Sequence, residues 1–122
     1  MRKISLFKAT LAVTAVLFIS AVGVLPAHHG WTGYDEKNPL TLSGTVKDSG
    51  YENPHGFVDL ETPDKVWRVV LAPPARMESR GLSKEMLKAG TKATVMGYQN
   101  KVEKNELRAE RITIADKTIE LR

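Results

Sequence analysis

A mostly β domain of five short strands, with one short helix between the third and the fourth, is what this sequence predicts for residues 40–122. Three observations carry the expectation. Apolar and polar residues alternate with a period of two in Leu40–Val46 and again in Lys92–Tyr98, the pattern of strands with one face in a core. Gly, Pro, Asn and Asp gather between the apolar runs, where turns need them. Only Ser83–Lys88 departs from alternation toward a helical spacing.

The first strand sets Leu40, Leu42, Gly44 and Val46 against Thr41, Ser43, Thr45 and Lys47. A turn-rich stretch from Asp48 to Gly56 follows, punctuated by Gly50, Asn53, Pro54 and Gly56. Phe57–Glu61 and Val66–Leu71 read as strands two and three, joined antiparallel by the four-residue connection Thr62-Pro63-Asp64-Lys65. Pro73 and Pro74 end the third strand. Ser83 then caps a short helix, Lys84 to Lys88, whose apolar side is Leu82, Met86 and Leu87, and Gly90 stops it. Strand four is Lys92–Tyr98. Polar residues Gln99 to Asn105 make a turn, Leu107–Ile114 the fifth strand, and Thr118–Leu121 a short extension after an Ala115-Asp116-Lys117 turn. Five strands with a helix between the third and fourth is the element order of the OB-fold, a small Greek-key barrel whose closure removes free sheet edges. Element order alone leaves a sandwich or another barrel with the same elements open.

Ahead of this domain, Arg2, Lys3 and Lys8 form a basic start, and an apolar stretch from Ala9 to Leu25 is broken only by Thr10, Thr14, Ser20 and Gly23. That is the layout of a secretory signal. The stretch sits at the short end of the roughly 17–25 residues that a permanent membrane helix needs. Pro26 and Ala27 supply a helix stop and a small residue, so the expected cut follows Ala27, with an uncleaved anchor or an earlier cut near Gly23 as alternatives. The expected organisation is a signal peptide at 1–27, an N-terminal segment at 28–39 and the barrel at 40–122, in a periplasmic protein that meets the membrane only through the uncleaved signal.

Charge excludes one class of partner. The whole chain carries +4, but the signal holds three of the 18 basic residues and none of the 14 acidic ones, so the mature chain would carry +1. Its acids and bases are interspersed, which argues against nucleic acid as a partner. Cysteine is absent, so disulfides, thiolate metal sites and thiol catalysis are excluded. Any metal would need His, carboxylate or backbone ligands.

The combination His28-His29-Gly30-Trp31, Tyr34-Asp35, Leu42-Ser43-Gly44-Thr45-Val46 and Asn53-Pro54-His55 resembles a family of small exported bacterial proteins catalogued as a domain of unknown function, family 6152. Arg80-Gly81, Leu87-Lys88-Ala89-Gly90 and Arg108-Ala109-Glu110-Arg111 are similar to its later segments. The sequence departs where Gly56 then Phe57 follow the Asn-Pro-His element and where Leu82 stands at a position that is often aromatic. The resemblance implies export and a β-rich fold, and it assigns no activity.

Function must therefore come from residues. His28, His29 and His55 are the three histidines, and imidazole is the commonest nitrogen ligand for copper, zinc and nickel. With His28 first, its free α-amino group and ring Nδ1 would chelate one ion, and His29 or His55 would complete an all-nitrogen set resembling a histidine brace, which favours Cu(II). The competing reading is an exposed start, with His55 hydrogen-bonded in a turn. In Asn53-Pro54-His55-Gly56 the proline pushes Asn53 toward extended backbone, and Gly56 is free to take positive φ. Such a turn explains Pro and Gly but does not demand His55. In an OB-fold this loop joins strands one and two, a ligand-facing position.

Trp31, Tyr34, Tyr51, Phe57, Trp67 and Tyr98 offer a stacking platform in principle, although Trp67 and Phe57 on strands fit a core better. Arg76 and Arg80 suit an anionic group, against the plainer reading of a solvated face paired with Glu78. No Gly-x-Ser-x-Gly elbow, phosphate-cradling glycine loop or His-Glu-x-x-His motif is present, and the expectation is a binding protein, not an enzyme. The leading expectation is thus a periplasmic module binding copper or another transition metal through His28, His29 and His55. Its rival is a metal-free module that takes a small anionic or protein ligand on the barrel face through Tyr51, Asn53, Arg76 and Arg80.

Overall fold

The computed structural model describes residues 30–122, so the export signal and the His28–His29 pair lie outside the described residues. Six strands form in the order expected: β1 (Leu40–Gly50), β2 (Phe57–Glu61), β3 (Val66–Val70), β4 (Lys92–Gln99), β5 (Glu106–Ile114) and β6 (Lys117–Glu120). The first five close into a barrel. β1 pairs with β2 through its second half and with β4 through its first, so one long strand serves both sides of the corner, and its register shifts between Val46 and Asp48 as it bends. Closure comes from a short parallel pairing, Arg68 to Glu106, Val69 to Leu107 and Val70 to Arg108. Together with β2–β3 and β4–β5 it completes the five-stranded OB topology, and β6 adds to the outer side of β5.

Alternation decides what fills the barrel. Val46, Val58, Leu60, Trp67, Val69, Val95, Leu107 and Ile112 all face inward and are buried, and Trp67 is 4% exposed, which assigns that ring to the core. Burying each such aliphatic side chain stabilises the fold by roughly 1.5–3 kcal/mol. The hairpin between β2 and β3 has the expected four-residue connection, with the Thr62 amide donating to the Lys65 carbonyl at 2.9 Å.

Two local expectations need correction. The helix between β3 and β4 is α1, Pro74–Ser79, and Ser83 precedes only a 3-10 turn, Lys84–Leu87, without a side-chain cap. Pro73-Pro74 ends the strand and also starts the helix, because a proline in the first helical turn gives up an amide that would be orphaned anyway. Met77 then closes one end of the core together with Leu82 and Leu87. The second correction concerns Gly56, whose φ is not positive. Glycine fits closely there: a Cβ would stand 2.5 Å from Met77 Cε and 3.0 Å from the Gly50 carbonyl oxygen, so a larger residue would have to displace the Met77 side chain.

Candidate ligand groove

Outward positions on two strands, together with two loops and the N-terminal segment, converge at one end of the barrel. Leu107 and Ala109 of β5 point inward, so Glu106 and Arg108 point outward, two residues apart on one face. Parallel pairing sets Val70 beside Arg108. The β1–β2 loop brings His55 to the same place, and the β4–β5 loop brings Asn100. The N-terminal segment lies across this end: the Asp35 amide donates to the Gln99 carbonyl and the Lys101 amide to the Gly33 carbonyl, both at 2.9 Å. Tyr34, His55, Val70, Asn100, Glu106 and Arg108 line the resulting groove of about 410 Å³.

Trp31 fastens the segment. Its ring sits edge-on to Tyr98, 5.8 Å between centroids, and takes the guanidinium of Arg108 at 4.4 Å and that of Arg122 at 4.5 Å. Arg122 is held in turn by Glu36 at 2.8 Å. Tyr34 is the second anchor: its hydroxyl donates to Glu106 Oε2 at 2.7 Å, and Asn100 Nδ2 donates to the same oxygen at 2.9 Å. Burial first, and the bond to Glu106 second, push the Tyr34 phenol up to about 12. The Asn100 side-chain oxygen also accepts from the amides of Val102 and Glu103, which shapes the loop.

Arg108 occupies the centre. Nη1 donates to the Gly30 carbonyl, and Nη2 lies 3.3 Å from His55 Nε2. A guanidinium only donates, so Nε2 is the acceptor and the imidazole proton belongs on Nδ1. His55 is pushed below its ordinary value by burial, and then by the charges of Arg108 and Arg76, so it stays neutral near neutral pH. Arg108 itself is half-buried with no carboxylate within salt-bridge distance among the described residues, and its buried Nε has no partner. Burial pulls its own pKa down as well. A charge withdrawn from water is ordinarily paired.

The residues singled out from sequence separate into two groups. His55 is in the groove, and Arg76 is near enough to depress it. Asn53 is exposed on the adjoining turn, joined to Pro54 by a cis peptide bond. Tyr51 and Arg80 lie elsewhere. The Tyr51 hydroxyl donates to the Leu82 carbonyl at 2.7 Å, and Arg80 Nη1 donates to the carbonyls of Glu120 at 2.7 Å and Arg122 at 2.9 Å. Arg80 and Arg76, which donates to the Leu121 carbonyl at 3.2 Å, tie α1 to residues 120–122, whereas Tyr51 ties the β1–β2 loop to the segment after α1. Among the described residues no group of three or more His, Asp or Glu is placed to hold a metal, and no described helix is long and apolar enough to cross a membrane. Two of the strand aromatics carry a cation on one face: Arg68 lies 3.9 Å above Phe57, and Lys65 lies 4.1 Å above Trp67.

Sequence reasoning missed Arg108, Glu106 and Asn100 as site residues. Parity on β5 turns Arg108 outward, but nothing local says that β5 lies beside β3 or under the N-terminal segment.

No curated protein matches the chain. Solved structures do, among them the crystal structure of a complex of TiaS with an isoleucine tRNA and ATP, with a TM-score of 0.50 and 20% identity. The match covers 72% of this chain but only 19% of that one. At this identity the likeness is one of fold. The profile of a family of unknown function, DUF6152, matches residues 16–108, and the chain belongs to that family.

Proposed function

We propose that this protein is an exported, periplasmic binding module, without catalysis, that takes an anionic ligand group in the groove around Arg108 and His55. The observation that carries the reading is a half-buried guanidinium that, among the described residues, has no carboxylate in salt-bridge distance and whose Nε has no hydrogen-bond partner. A carboxylate or phosphate oxygen would supply the partner that Arg108 lacks, in the charge-assisted geometry for which arginine is suited. The Nδ1–H of His55 adds a donor, and Arg76 adds positive potential. The position also suits ligand binding, since OB-folds use the β2–β3 face and the loops after strands one and four. Titration with acetate and inorganic phosphate tests it. The native protein should bind at least one of them, and Arg108→Ala should lose most of that affinity. Equal binding by both proteins would refute the assignment.

A second reading, Cu(II) held by His28, His29 and His55, is favoured by one contact. The Gly30 carbonyl and His55 share the guanidinium of Arg108, and His29 directly precedes Gly30 in the sequence. The neutral ring of His55 is the form a metal needs. In this reading the ion displaces Arg108 from Nε2. A native His28 terminus should then bind Cu(II) more tightly than a chain with one residue added before it, because the addition converts the α-amino nitrogen to an amide.

A further inference from the structure

The groove is not uniformly positive, and its second pole defines the ligand more closely. Glu106 stands two residues before Arg108 on the same face of β5, about 6.6 Å away along the strand. Its carboxylate is fixed by two bonds that fall on one oxygen: Tyr34 and Asn100 both donate to Oε2. Among the described residues Oε1 accepts no hydrogen bond, which leaves it an unused acceptor on a side chain that lines the groove. Glu103 adds a second carboxylate to that side. Glu106 and Arg108 are not within salt-bridge distance of each other, so they do not form an ion pair that a ligand would have to break.

We infer that the groove takes a small zwitterion, with its carboxylate on Arg108 and its ammonium on Glu106, an amino-carboxylate such as an amino acid. Two features favour this class over other anions. A simple anion gains from Arg108 but meets repulsion from Glu103 and Glu106, whereas an ammonium a few bonds away turns that repulsion into attraction. A sugar or nucleotide ligand would ordinarily stack on an aromatic face. Here the aromatic ring that lines the groove is Tyr34, which has the Arg108 guanidinium over it at 5.9 Å, and the neighbouring Trp31 ring meets two guanidinium groups. The Tyr34 and Asn100 bonds align Glu106 before any ligand arrives, which lowers the ordering cost of binding.

The inference rests on the anion reading of Arg108, and one experiment separates them. The protein purified from the cell envelope, with the amino terminus the cell leaves, is titrated calorimetrically with glycine, β-alanine and γ-aminobutyrate. Acetate, propionate and ethylammonium serve as the unpaired halves. At least one zwitterion should bind about tenfold or more tightly than any carboxylate, and the chain length preferred reads the spacing of the two poles. Glu106→Gln, which keeps an oxygen for Tyr34, should erase the preference and leave carboxylate binding in place. Carboxylates that bind the native protein as well as the zwitterions would overturn the inference and leave the anion site standing. Absence of binding by every one of these probes would overturn the inference, and absence of binding by inorganic phosphate as well would overturn the anion site. The comparison on the native protein stands even if the Gln variant is unstable.

Discussion

Removing the Trp31 ring should unfasten the N-terminal segment without unfolding the barrel. The ring makes two guanidinium contacts, at 4.4 Å and 4.5 Å, and one edge-on contact with Tyr98. Partly exposed cation–π contacts contribute about 0.5–1 kcal/mol each, and an edge-on aromatic pair about 0.5–1.5 kcal/mol. The sum is about 2 kcal/mol for Trp31→Ala, since the ring is itself only partly buried. That loss falls on local opening, because the aliphatic core of the barrel is not touched. Native-state hydrogen exchange resolves it. The amides of Asp35 and Lys101, which bond across to Gln99 and Gly33, should exchange about 30-fold faster at about 1.4 kcal/mol per factor of ten. Amides in the paired centre of β4 and β5, around Val95 and Ile112, should keep their rates. Unchanged rates at Asp35 and Lys101, or equal acceleration in the barrel centre, would refute this account of the anchor.

Trp67→Ala should cost about 3–5 kcal/mol in urea denaturation, since the ring is 4% exposed in the core; a loss below about 1 kcal/mol would contradict its core placement. The His55 pKa, followed by NMR, should lie below about 6.5 and move up in Arg108→Ala, because one of the charges depressing it is removed. The sign for stability follows. A base depressed by folding is protonated first in the unfolded chain, so His55 should take stability away as pH falls from about 6.5 toward its folded pKa, and His55→Gln should flatten that slope. A fusion of residues 1–30 to a reporter active only outside the cytoplasm should be exported, and a silent reporter on a stably made fusion would contradict export. Cu(II) titration of chains beginning at His28 and with one added residue should differ in affinity under the second reading, and equal affinities would eliminate the brace.

Strands are legible because alternation is a local signal: Leu40–Val46 and Lys92–Tyr98 each declare a buried face within a few residues. The helix is less so. Pro73-Pro74 reads equally as a strand stop and a helix start, and α1 buries only Met77, too little to leave a periodic trace. Gly56 is a special position for a reason that turn propensity does not reveal, since proximity to Met77 is a tertiary fact and turn propensity a local one. His55 stands out because a turn requires its proline and glycine but not its imidazole. Arg108 has no such contrast. Its role depends on the parallel β3–β5 pairing and on Trp31, far earlier in the sequence, and non-local contacts of this kind leave no mark on the residues around Arg108.

The central claim, that Arg108 meets the ligand, is tested most directly at its own side chain. With ¹⁵N-labelled protein, the Nε–H resonance of Arg108, assigned through its absence in Arg108→Lys, should shift and saturate as acetate or glycine is added, together with the ring signals of His55. A ligand that binds with both sets of signals unmoved, and shifts residues at another face of the barrel instead, would contradict the account.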